Sequence, residues 1–144
     1  MGAHQASDGG DAIEYAYEQG WSDGLPVVPP TPDRIGRMLD QSGYLPDEEI
    51  GRVPERGRLI TAGHVAANAV MAGCPDELFL VVLAAVEAIL DPRFNVVGPT
   101  ASTGGSAPLV IEHGPVVKEL WFNSGCSVLG SGNRSNLTLG RAVN

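Results

Sequence analysis

The stretch "TAGHVAANAVMAGCPDELFLVVLAAVEAILDP", Thr61 to Pro92, decides the fold. Thr61 stands before an apolar run and carries the side chain of a helix N-cap. Gly73 is placed to end that helix as a left-handed residue. Pro75 suits a first helical position, and Asp76 and Glu77 suit a first turn, where the helix dipole is positive. Asp91–Pro92 stops the second run, because the residue before a proline leaves the helical region. The pattern predicts two helices joined by a short turn, a helical hairpin over residues 61–90. Its longest apolar run, "LFLVVLAAVEAIL", has about 13 residues and contains Glu87, whereas a bilayer span needs about 20. It reads as a buried helix.

Upstream, "EEIGRVPERGRLI" reads as short extended pieces around a turn at Pro54–Gly57. "TPDRIGRMLDQSG" offers Thr31 as N-cap, Pro32 at the first helical position and an apolar side at Ile35 and Leu39. "LPVVPP" is too rich in proline for a central strand and suits an edge strand or a polyproline II segment. "DAIEYAYEQG" reads as a short amphipathic helix closed by Gly20. Residues 1–10 are polar and glycine-rich, the composition of a disordered leader.

Downstream, "FNVVG" and "LVIEHG" read as strands on either side of the loop "PTASTGGSAP". "PVVKELWF" suits a short helix, "NSGCSVLGSGNRSN" a glycine loop, and "RSNLTLGRAVN" a last helix. Leu137, Ala142 and Val143 sketch an apolar side on that helix, yet it has room for only about two turns and lacks a closing glycine or proline. The natural polypeptide is therefore expected to continue, or a second chain to complete the helix. The expected fold class is α+β, or α/β with a small mixed sheet, with the central helical hairpin packed on a few strands. Residues 11–144 should form one domain of α/β type, incomplete at its C-terminus.

The 144 residues are 43% hydrophobic and 18% charged, a globular mixture long enough to bury a core unaided. Net charge is −8, and the nine Lys and Arg are scattered. Phosphate contacts need clustered positive charge, so nucleic acid and anionic membrane surfaces are not expected partners. "MGAHQASDGGDAIEY" has neither a basic start nor an apolar run, hence no signal peptide. Cys74 and Cys126 form neither a disulfide framework nor a zinc motif, and a cytoplasmic location with two reduced thiols is the simplest reading.

Several residues carry chemistry. Cys126 lies among Gly125, Gly130 and Gly132, where the backbone can approach a ligand closely. Arg134, with Ser131, Asn133 and Ser135, opens the last helix. Free N–H groups and a guanidinium there would suit a carboxylate or phosphate and would lower the pKa of Cys126. An ordinary surface loop is the alternative. Cys74, as N-cap of the helix opened by Pro75, would gain thiolate character from the dipole; a small residue in a tight hairpin is the plainer reading. His64 and Asn68 are four apart on one helix face and are expected to be largely buried. They serve as proton carrier and substrate ligand, or as satisfied core residues. Thr103 sits in the loop after a strand. Trp21 and Asp23 precede the proline segment, as a fixed wall of a site or as a strap over the core. No P-loop motif and no metal-ligand cluster are present.

"GWSDGLPVVPPTP", "VAANAVMAGC", "VVLAAVEAILDPRFN" and "GNRSNLTLGRAVN" together resemble a family of largely uncharacterised bacterial proteins more than twice this length. Members are associated with UGSC-type selenocysteine or cysteine proteins. The resemblance covers residues 14–144. It implies that this chain is the N-terminal part of a longer protein, and that redox or carbon–heteroatom chemistry runs beside it. The chain has no UGSC or CGSC motif of its own.

The resulting expectation is a small-molecule enzyme or enzyme subunit with thiol-dependent redox or lyase chemistry on an anionic substrate. In it Cys126 is the thiolate, with His64 and Cys74 as further catalytic candidates, and Arg134 holds the anion. Nothing specifies a cofactor. The alternative is a non-catalytic binding or scaffolding module that completes a partner chain's site.

Overall fold

The computed structural model describes residues 9–144, with side chains from Ala12 onward. The fold is mixed α+β. Seven helices and one two-stranded antiparallel sheet are formed among the described residues. In chain order they are α1 (Gly9–Glu18), α2 (Pro32–Asp40), β1 (Glu49–Val53), β2 (Arg58–Thr61), α3 (Ala62–Ala72), α4 (Phe79–Leu90), α5 (Val97–Ala101), α6 (Val116–Glu119) and α7 (Arg134–Val143). Of the expected leader, residues 1–8 lie outside the described residues, and Gly9 and Gly10 open α1.

The centre is α3. Thr61 caps it with its hydroxyl, which accepts from the His64 amide at 3.3 Å, while His64 Nδ1 accepts from the Thr61 amide at 3.2 Å. This reciprocal pair satisfies two amides that a helix start leaves open. At the other end Gly73 has φ +85, and the Cys74 amide donates to the Ala69 carbonyl at 3.0 Å, a Schellman closure. Ala62, Ala66 and Ala69 are fully buried, so neighbouring helices approach α3 closely. α2, α4 and α7 all pack on it, bringing Met38, Phe79, Val82, Leu83 and Leu139 into one core. Burying side chains of this size contributes roughly 1.5–3 kcal/mol each.

α4 starts later than expected. Pro75 keeps an extended backbone, ψ 151, and a single 3-10 turn at Asp76–Leu78 leads into Phe79. Cys74 therefore lies in the link and is not the N-cap of α4. Arg37 of α2 holds this turn through Asp76 at 3.0 Å. The extended pieces at 49–61 form the expected hairpin around the Pro54–Arg56 turn and Gly57, with Gly51 opposite Ile60 and Arg52 opposite Leu59. Gly51 packs closely on α4: a Cβ there would meet Leu90 Cδ1 at 2.8 Å, and the Leu90 side chain would have to shift.

The proline segment forms no strand. It is a strap: the Val28 amide donates to Met71 O of α3 at 3.2 Å, and Arg141 Nη1 of α7 donates to Pro26 O at 2.7 Å. Two expected strands are absent. At "FNVVG", Asn95 has φ +54, its carbonyl accepts from the Gly98 amide, and the chain coils into α5. "LVIEHG" lies outside any helix or strand and has no partner strand among the described residues.

Candidate functional site

Two cavities flank the last third of the chain. The first, of about 550 Å³, is a groove between Pro108–Glu112, the 122–130 loop and one side of α7. The second, of about 570 Å³, lies between the Pro75–Leu78 turn, the end of α6 and the start of α7. The second gathers Arg134, Asn133 and Ser135, but neither Ser131 nor Cys126, which the sequence reading grouped with them.

Their polar groups are already engaged. Arg134 Nε and Nη2 both donate to Gly73 O, at 3.0 and 2.8 Å, so the guanidinium caps the closing turn of α3. Asn133 Oδ1 accepts from the Asn136 amide at 2.9 Å, and its Nδ2 donates to Trp121 O at 2.7 Å. Ser135 is buried and its hydroxyl donates to Leu120 O at 2.6 Å. Glu77 and Glu119 line the same hollow and have no partner among the described residues. The hollow thus holds two carboxylates and the one Arg134 cation, which its bonds to the neutral Gly73 carbonyl leave charged, so an anion would meet a net negative lining. Trp121 stands at its edge with φ +58 and its side chain 81% exposed.

The glycine loop is held by Asn136, which the sequence reading passed over. Its Oδ1 accepts from the Asn123 amide at 3.0 Å, and its Nδ2 donates to Asn123 O at 3.0 Å and Val128 O at 3.1 Å. Asn123 Nδ2 in turn donates to Cys126 O at 2.9 Å. Cys126 is exposed on this clasped loop. Ser131 is exposed beside it. A single sequence marks Asn136 only as one more polar residue near a helix start.

The remaining candidates are dispersed. His64 and Asn68 are exposed, not buried: one closes the α3 cap, and the other donates from Nδ2 to His64 O at 2.9 Å. Cys74 is buried at the opposite end of α3, about 15 Å away along the axis at 1.5 Å per residue. Its thiol contacts Thr138 O at 3.4 Å. Burial pushes its pKa up, outweighing the Thr138 contact and the nearby Arg134 charge. The expected dipole-stabilised thiolate is corrected accordingly, because Cys74 follows the negative end of α3 and does not begin α4. Thr103 is exposed in its loop. Asp23 Oδ1 accepts from the Leu25 amide at 3.1 Å and lies 3.9 Å from Arg141, and Trp21 packs edge-on against Tyr15. Both belong to the strap. None of these residues lines either cavity. Among the described residues no buried side-chain polar atom lacks a partner, and no group of three metal-ligating side chains forms.

The first cavity differs in character. Ile111 is 78% exposed, Leu129 84% and Leu109 71%, with Val128 and Leu137 also open to solvent. Glu112 is the charged residue in its lining. Among the described residues no helix is long and apolar enough to cross a membrane. No family model, curated protein or solved structure matches this chain.

Proposed function

We propose that this chain is a docking module that receives a net-basic, apolar segment of another polypeptide in the groove formed by Pro108–Glu112, the 122–130 loop and α7. The observation that carries the reading is the exposure of the groove's large aliphatic residues, above all Ile111 and Leu129. Open apolar surface of this kind marks interaction sites. Covering such side chains favours a complex, less the cost of association and of ordering the partner. The chain's net charge of −8 and Glu112 in the lining favour a partner with basic residues beside its apolar ones.

Thiol catalysis has less support. Its groups, Cys126, His64 and Cys74, sit on three different parts of the molecule, and Arg134 serves the backbone.

Two short probes test the reading: a leucine–lysine peptide with helical spacing, and a valine–lysine–threonine peptide with strand alternation. At least one should bind by calorimetry in the micromolar range, and Leu129→Asp should weaken it at least about tenfold. That variant adds negative charge, so attraction of lysine to an acidic surface alone would strengthen binding. Failure of both peptides, or equal binding to Leu129→Asp, would overturn the proposal.

A further inference from the structure

One wall of the groove is an irregular segment whose side chains alternate in exposure. Along Pro108–Glu112, Leu109 and Ile111 are exposed, while Val110 packs on the core and Glu112 is half-buried. That period of two belongs to β-structure. Among the described residues β1 and β2 pair only with each other. No backbone N–H or C=O of Leu109, Val110, Ile111 or Glu112 makes a hydrogen bond to another described residue. Water can satisfy those groups in the free chain, but an apolar partner laid along the groove would strip it away. Buried backbone groups must then be paired.

This requirement selects the partner's conformation. A helix consumes its own backbone groups and would leave these four residues unsatisfied. An extended segment supplies N–H and C=O groups at the matching spacing and places alternate side chains toward the groove. We infer that the occupant is a β-strand, added edge-on to Leu109–Glu112, with its inward apolar side chains against Val128, Leu129 and Leu137. A strand of about five residues, roughly 17 Å long, spans the segment. The inference rests on the docking reading and specifies its geometry.

The valine–lysine–threonine peptide separates the two ideas, because the changes are made in the probe and leave the protein's folding untouched. N-methylating every second residue of the peptide removes donors on one edge only. One register of methylation should abolish binding, at least about a tenfold loss, and the other should leave it unchanged. In parallel, amide exchange within Leu109–Glu112 should slow at least about tenfold at alternate positions. If a peptide binds the groove, is lost with Leu129→Asp, yet shows neither effect, strand addition is wrong and docking stands. If neither the helical nor the strand-forming peptide binds, both ideas fall.

Discussion

At the residue scale, the side chains that looked chemical serve the backbone first. Arg134, Asn133, Ser135 and His64 all sit at helix ends, where open N–H and C=O groups compete for any polar neighbour. A sequence shows a cluster of Arg, Asn and Ser but not which carbonyls lie within reach. Gly73 O, which holds the Arg134 fork, is 61 residues away. Cys74 is the residue whose environment yields a pH prediction. Burial raises its folded pKa above the unfolded value of about 8.5. Between those values the unfolded chain has released a proton that the folded chain keeps. Stability from this group is therefore full below about pH 8.5 and declines as pH rises above it, by at most about 1.4 kcal/mol per unit. Thermal unfolding from pH 7 to 10 should show a steeper alkaline loss in the wild type than in Cys74→Ala. Parallel curves would mean that Cys74 titrates alike in both states.

At the element scale, caps and turns made the helices legible. Thr61, Gly73 and Asp91–Pro92 bracket α3 and α4, whereas Asn133, read only as a ligand-binding candidate, turns out to cap α7. The hairpin around Pro54–Gly57 was equally visible. The two missing strands were not, for different reasons. Asn95 and Gly98 turn "FNVVG" into a coil that β-branched residues alone do not reveal. "LVIEHG" has a short run of aliphatic residues that suits a strand, but pairing depends on a neighbour that no local pattern specifies. The glycine loop depends on one remote side chain in the same way. Asn136 makes three hydrogen bonds across it, each worth about 1 kcal/mol. Asn136→Ala should lower stability by about 2–3 kcal/mol in denaturant unfolding and speed amide exchange across residues 123–130. Unchanged exchange there would show that the clasp does not hold the loop.

At the scale of the whole molecule, the core draws on both ends of the chain, and five exposed large aliphatic side chains, Leu109, Ile111, Val128, Leu129 and Leu137, gather in the lining of one groove. α3, α4, α2 and the α3-facing side of α7 bury the aliphatic centre. The exposed Leu109, Ile111, Trp121 and Leu129 all fall after residue 100. Surface ion pairs such as Arg52–Glu49 and Arg93–Asp91 lie outside that region, on the hairpin and at the end of α4. They contribute little to stability and do not shield the groove. The proposed function rests on that gathering of apolar side chains in one groove; exposed apolar residues elsewhere, such as Leu25, Leu45 and Leu80, lie outside it. Methyl NMR of Leu, Val and Ile groups during addition of the basic strand-forming peptide would locate its contact directly. Docking predicts saturable shifts at Leu109, Ile111, Val128, Leu129 and Leu137, with Val65 and Val82 in the core unmoved. Shifts centred on Leu78 and Leu120 beside the acidic hollow, or no saturable shifts at all, would contradict it.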